Sequence, residues 1–547
     1  MMRRIFARRW PAPLLGLACL LAAAAFTVLA CALVEPRWES NDDVGMAMVA
    51  HGYGIAATAS PEIVFSNVLW GHLAQAIGSV DGVLGYTIAG YAALVLAGAV
   101  LMWAAFRCGL GVIGAAGVFA LLLLRALWFP QFTVTSGLLM VASACCLALY
   151  PQRRASLLPW LAALLAFASF LVRRDEFLVV AAVLAPVLPW ALLARERQAR
   201  LAAAALASAI ALAAWMNYTA YSQEAWRPFN ELNPPRAAFT DFGQAQRLVA
   251  RPDLLARHGF SVNDVEMVGS WFFADPALVD PTRLRAVLAD LGEARDTETD
   301  LGNAWLGVAS LADPRLVWAL ACAALATLLL PSRRVLLAWG FCIAGLALVG
   351  FLGRPSQLRI YDPLVAALLF APLLRAAWRP EPPPTWRWSS SMVAGLLALA
   401  AVFHTWPLVD LAQDEAPQTA VWRREIQKFP ADTVVVWGSN FPFEWIYAPL
   451  VRHQERLPAR IYALGAFTLA PFSVACAEAR TGRDMMTRLR GPDGVLMLAS
   501  DWALDRMSVH CREHFGGKLG AEMVHLYPWG ALRIVRCPPP APRGDAL

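Results

Sequence analysis

The chain has 547 residues, of which 59% are hydrophobic and 16% charged, against roughly 25% charged in an ordinary soluble domain. So apolar a chain lacks the polar surface to cover a soluble globule, which excludes that class and makes lipid the solvent for much of the molecule. The net charge of +6 does not signal nucleic-acid binding, because the basic residues stand in short clusters between apolar runs, where membrane topology needs them.

A membrane-spanning helix needs about 20 mostly apolar residues. Eleven segments qualify, at 12–34, 85–106, 108–129, 132–150, 155–172, 177–194, 201–220, 315–331, 335–352, 360–378 and 391–410. The first has a basic start and small residues near Ala30, as a cleaved signal peptide would. At about 23 apolar residues it is long for one and is read as a retained span. With the N-terminus inside, the inner segments hold Arg3, Arg4, Arg8, Arg9, Arg107, Arg153, Arg154, Arg195, Arg197, Arg200, Arg333, Arg334, Arg375, Arg379 and Arg387. Only two acidic residues, Glu196 and Glu381, share those segments, which is a strong positive-inside signal.

An odd number of spans then places the C-terminus outside. The division is a membrane domain, 1–410, with outer loops at about 35–84 and 221–314, and a soluble outer domain, 411–547. In the latter, Thr433–Trp437, Val495–Ala499 and Leu532–Cys537 read as strands and Val421–Phe429 as a helix, predicting a small α/β domain. Of its cysteines, Cys476, Cys511 and Cys537, one pair can form a disulfide in an oxidising compartment, and spacing does not choose the pair.

The first outer loop carries adjacent carboxylates, Asp42 and Asp43, close after the first span. Ser40-x-x-Asp43 has the pattern of a capping box, and Ser60-Pro61-Glu62 that of a second helix start, so two short surface helices are expected. Capping accounts for one carboxylate and does not require two. A second unusual cluster is Arg173-Arg174-Asp175-Glu176, four charges in a tight turn on the outer side, where arginine pairs are uncommon. A third runs from Arg354 through Arg359 to Tyr361; arginine there serves either as an interfacial anchor or as a bidentate phosphate ligand. Together these form an outer-face set of carboxylates that can take a proton and arginines that can hold a departing phosphate. His510-Cys511-x-x-His514, with His525, has poor spacing and number for structural zinc. No glycine-rich phosphate loop is present in the sequence.

These motifs resemble the GT-C-type glycosyltransferases, polytopic enzymes that use polyprenyl-phosphate sugars. Asn41-Asp42-Asp43 matches the acidic motif of their first external loop. Gly52-Tyr-Gly54 and Ser66-Asn67-Val-Leu-Trp70 look like that loop in bacterial arabinofuranosyltransferase- and mannosyltransferase-like members. Arg359-Ile-Tyr361-Asp-Pro363-Leu is similar to their entry into a late helix, and Val44-Gly45 departs from what often follows the acidic pair. The resemblance implies a GT-C-like polytopic α-helical fold in a bacterial inner membrane, and inverting transfer of a sugar from a polyprenyl-phosphate donor to a glycan, lipid or protein hydroxyl. It implies Asp42 and Asp43 as catalytic residues, or ligands of a divalent cation (Mg, Mn or Ca), and Arg173, Arg174, Arg354, Arg359 and Tyr361 around the donor phosphate. Asp175, Glu176, His51 and Asn67 are further site candidates. The alternatives are a transporter or flippase of lipid-linked glycans, which needs charges at mid-membrane, and a different glycan-processing membrane enzyme.

Overall fold

The computed structural model describes residues 12–153, 157–292, 297–377, 386–438, 441–452 and 459–539. Arg3, Arg4, Arg8, Arg9, Arg154, Arg379 and Glu381 lie outside the described residues. Among the described residues seven helices are long and apolar enough to cross a membrane, and a bent pair brings the number to eight. Some of them carry lipid-facing stripes, while others, such as Phe132–Tyr150, are buried among their neighbours. Leu17, Leu21, Val28, Leu29 and Leu33 on the first helix, and Leu336, Leu337, Phe341 and Leu348 on a later one, are all exposed. Such stripes of large aliphatic side chains are stable only against hydrocarbon. The chain is a polytopic α-helical membrane protein with a small sheet-containing region at its C-terminal end.

Each of the eleven expected segments falls on helix, but not on eleven unbroken helices of membrane length. The segments 85–106 and 108–129 are two arms of one hairpin. Gly109 (φ +90°) and Gly111 (φ +67°) turn the chain, and Gly98 packs on Phe119 and Leu123 of the returning arm. The expected span 177–194 is broken into Arg174–Leu184, a 3-10 turn Ala185–Val187 and Ala191–Arg195. Pro186 and Pro189 account for the break, since proline removes a helix donor and clashes with the preceding turn. The expected span 315–331 is the short helix Val317–Leu329, and it meets its predecessor, Thr299–Ala312, at 86°. The last span does not end at 410. Trp386–Glu425 is one helix of 40 residues, about 60 Å at 1.5 Å per residue. That is twice the hydrocarbon thickness of about 30 Å, and the helix runs on into the sheet-containing region.

That region is a five-stranded sheet in the order Ile461–Ala463, Val434–Trp437, Val495–Ala499, Gly530–Arg536, Gly520–Tyr527. The first three strands pair in parallel and the last two antiparallel. Val434–Trp437 is buried throughout, as a continuous apolar run at a sheet centre should be. The strands Ile461–Ala463 and Gly520–Tyr527 were not expected; the first is only three residues long and the second largely exposed. Cys511 pairs with Cys537, leaving Cys476 free.

The long loop after Tyr221 does not stand apart from this sheet. Phe239, Leu248, Val265, Phe272 and Leu284 share one hydrophobic core with Val435, Trp437, Met497 and Met507. Loop and sheet therefore make a single extramembrane lobe. The loop after the first helix is fastened to the same lobe: Trp38 Nε1 donates to Tyr447 O (2.9 Å), Ile461 N to Gly54 O (3.0 Å) and Val474 N to Ile55 O (3.0 Å).

Candidate active site

The acidic motif opens a helix, Asn41–His51, whose residues Asp43 to Ala50 are all buried. Two carboxylates in its first turn suit the positive end of the helix dipole. Gly52, in the left-handed conformation at φ +71°, ends it. The expected capping box does not form. Ser40 is the N-cap residue but makes no side-chain cap; its hydroxyl donates to Asp43 Oδ2 instead (3.2 Å). The second start signal also fails. Ser60 bonds Glu62, and the next helix, Val68–Ile77, begins later, capped by Asn67, whose Oδ1 accepts from Leu69 N (3.0 Å).

The two carboxylates have different environments. Asp43 is 2% exposed. Its Oδ1 accepts from Tyr86 O–H and from Phe132 N–H, both at 3.1 Å. Burial first, and the neighbouring Asp42 charge second, hold its carboxyl well above the usual carboxylate range, against the pull of those hydrogen bonds. Asp42 is a quarter exposed and pairs with Arg359 (Oδ2 to Nη1 2.9 Å). It also lines a cavity of about 410 Å³. One wall of that cavity is the Asn41–His51 helix and the other is the sheet region, through Val436, Gly438 and residues 463–467, with Trp271 from the long loop between them. Gly45 leaves room here: a Cβ on it would stand 2.5 Å from the Phe467 ring, so a larger residue would have to displace that ring from the helix.

Arg173 stands close to this pair. Burial works against its charge, and the carboxylates of Asp175, Asp42 and Glu176 support it against repulsion from Arg359. Its guanidinium lies over the Phe132 ring (5.3 Å) and donates to Phe65 O (3.3 Å). Arg173 and Arg174 line a second cavity of about 540 Å³, with Asn67, Asn217 and Tyr221 among its walls. Arg174 is well exposed and paired with Asp175. Glu176 is buried, with Oε1 lacking a hydrogen-bond partner. Val64 lines the second cavity and Trp271 the first, and both have φ +69°. Residues this bulky rarely adopt that conformation, and such strain concentrates at functional sites.

Other candidates are engaged elsewhere. Arg354 pairs with Asp241 of the lobe (3.3 Å). Tyr361 is buried, and its hydroxyl donates to Gly307 O. His51 Nε2 accepts from Tyr86 N (3.2 Å) at the head of the next span. Asn67 also donates to Ala213 O (3.0 Å), fixing two elements together. The aspartate pair does not fit a divalent cation as arranged: Asp43 has its oxygens accepting from Tyr86, Phe132 and Ser40, and Asp42 is held by Arg359, whereas such an ion collects several free oxygens. Residues that the sequence gave no reason to single out complete the surroundings. Tyr86 and the Phe132 amide hold Asp43, and Arg125 bonds Glu39 (2.6 Å) and approaches Asp362 (3.8 Å). Around a small void beside Arg359, Glu39, Arg125, Arg315 and Asp362 form a charged layer.

No protein-family model matches the chain, and no curated protein matches it. Among solved structures it is similar to ArnT from Cupriavidus metallidurans in the apo state, with TM-score 0.38 and 13% identity over 94% of this chain and 98% of that one. It is similar to ArnT bound to undecaprenyl phosphate, with TM-score 0.35 and 12% identity over 95% and 97% of the two chains. It is also similar to the arabinofuranosyltransferase AftD from Mycobacteria, with TM-score 0.34 and 13% identity over 95% of this chain and 40% of that one. These scores are low, so what this chain does must be read from its own residues.

Proposed function

We propose that the chain is a GT-C-type glycosyltransferase that moves a sugar from a polyprenyl-phosphate donor to a hydroxyl of a cell-envelope glycan, lipid or protein. The observation that carries this reading is Asp42, which lines a cavity between the membrane region and the lobe and is paired with Arg359, with Arg173 close by. Asp42 is the reachable carboxylate and serves as the general base. It takes the acceptor's proton as that oxygen bonds the anomeric carbon and the bond from that carbon to the phosphate oxygen breaks. Displacement from the opposite face inverts the configuration. A donor phosphate competes for Arg359, and when Arg359 turns to it Asp42 is released to act. Arg359 and Arg173 then stabilise the charge left on the departing lipid phosphate. Asp43 positions Asp42 by fixing the helix to Tyr86 and Phe132. Arg354 fastens the lobe through Asp241. The N-terminus lies in the cytoplasm and the lobe on the outer face of a bacterial inner membrane.

The test is transfer in proteoliposomes, using a panel of labelled polyprenyl-phosphate sugars and extracted envelope glycans. The expected result is label moved from one donor to acceptor with inverted anomeric configuration by NMR. Movement of intact lipid-linked glycan across the bilayer, with no bond made or broken, would instead establish a flippase.

A further inference from the structure

Within the lobe, the helix Val262–Gly269 of the long loop lies against the helix Asp501–Phe515 of the sheet region. Asp264 on the first faces His510 and His514 on the second, and one ligand atom from each lies within 4.8 Å of the other two. His514 Nε2 is 2.8 Å from Asp264 Oδ1, and His510 Nδ1 is 3.9 Å from the same oxygen. The histidines are one helical turn apart, which places them on one face, and their ring centroids are 4.5 Å apart. His510 is completely buried, and neither of its ring nitrogens makes a well-formed hydrogen bond. Its nitrogens have carboxylates near them, Asp275 Oδ2 at 3.1 Å and Asp264 Oδ1 at 3.9 Å, but not in good hydrogen-bond geometry, and a buried imidazole so poorly met is costly unless something else meets it.

We propose that Asp264, His510 and His514 bind a divalent transition-metal ion, zinc by its ligand chemistry, and that this ion clamps the long loop to the sheet region. Two imidazoles and one carboxylate with an open fourth position are a set that zinc accepts. The surroundings fit as well. Asp275 Oδ2 lies 3.1 Å from His510 Nε2, so it can take that ring proton and leave Nδ1 to the metal, the carboxylate–histidine support that ligating histidines usually have. Asp264 Oδ2 is fixed by the Ser261 amide (2.9 Å), which leaves Oδ1 for the ion. His514 is partly exposed, giving the ion an entry path and room for water. Cys511 is not a ligand, being bonded to Cys537, and His525 lies on a different element, beside Glu425. The sequence motif alone is therefore unpromising, because the third ligand comes from a residue 246 positions before His510. The helix carrying Asp264 leads directly into Ser270, which accepts from Trp437 Nε1 (2.8 Å), and into Trp271 at the Asp42 cavity. A metal here holds that cavity wall in place.

The experiment uses the full-length chain in detergent, affinity tag removed, stripped with chelator and titrated with zinc against a fluorescent zinc chelator. Metal content is then read by mass spectrometry after gel filtration. The expected result is one zinc per chain and a zinc-dependent rise in apparent Tm. His514→Ala, whose side chain reaches solvent, should elute as wild type yet lose at least 100-fold in zinc affinity and all of the Tm rise. Asp275→Asn should weaken binding by roughly 10–100-fold. Cobalt should give tetrahedral d–d absorption in the wild type only. Equal zinc binding by wild type and His514→Ala overturns the proposal. So does a wild type that takes up no zinc, which would leave a protonated His510 between two carboxylates as what holds the helices together.

Discussion

Asp43 is the sharpest test of how the acidic motif is built. In Asp43→Ala, the buried Tyr86 hydroxyl and Phe132 amide both lose their acceptor. Each unmet buried donor costs about 1–3 kcal/mol. Relief from burying the carboxyl offsets part of this, so a net loss of about 2–4 kcal/mol is expected. Asp43→Asn keeps an acceptor oxygen for both donors and turns its amide toward the Ser40 hydroxyl, so its cost should stay below about 1 kcal/mol. The readout is thermal unfolding in detergent, followed by gel filtration of heated samples. Such a protein does not unfold in two states, so the ranking of apparent Tm is the quantity to compare. The order expected is wild type and Asp43→Asn together, with Asp43→Ala several degrees lower. The pH dependence has a definite sign. Because folding raises the pKa of this acid from 3.8, the protonated form is favoured in the native state, and its contribution to stability falls as pH rises from about 4 toward the folded value. Asp43→Asn should lack that decline. An Asp43→Ala protein as stable as wild type at every pH would refute the placement of Asp43 as a buried hydrogen-bond hub.

Arg359→Gln should lower sugar transfer by roughly 10²–10³-fold while changing apparent Tm little, since its pair with Asp42 is 30% and 25% exposed and such pairs contribute about 0–1 kcal/mol; kinetics at matched expression check both. Gly71→Ala places a Cβ 2.0 Å from Pro61 O, so a loss of about 1–3 kcal/mol or more is expected; Gly90→Ala, with open space around it, should be neutral or stabilising in the same unfolding assay. Cys537→Ser opens a disulfide across 26 residues and should cost the lobe roughly 3 kcal/mol, seen as faster cleavage of the lobe by added protease.

What the sequence made legible follows from which interactions are local. Apolar runs announce membrane helices, so all eleven segments fall on helix. Proline and glycine inside those runs reshape them in ways that length alone does not reveal, as at Pro186, Pro189, Gly109 and Gly111. Asp42, Arg173 and Arg359 were visible as charges at membrane boundaries, where charge is costly without a role. Their meeting was not visible, because residues 42 and 359 are brought together only by packing of the late helix against the first loop. Capping logic misread the side chains of Ser40 and Ser60, since the nearby carboxylates of Asp43 and Glu62 took their hydroxyls in place of helix amides. Tyr86 was not singled out, because nothing local distinguishes a tyrosine that holds an aspartate. Asp264 beside two histidines from the far end of the chain is the same lesson in the lobe.

The central claim is that Asp42 is the base and Asp43 its support. The direct measurement is single-turnover transfer of labelled sugar by wild type, Asp42→Asn and Asp43→Asn in nanodiscs at matched fold and expression. Asp42→Asn should fall by roughly 10²–10⁴-fold, the range lost with a general base, while Asp43→Asn retains substantial transfer. Full transfer by Asp42→Asn would contradict the claim and reduce the acidic motif to a helix terminus.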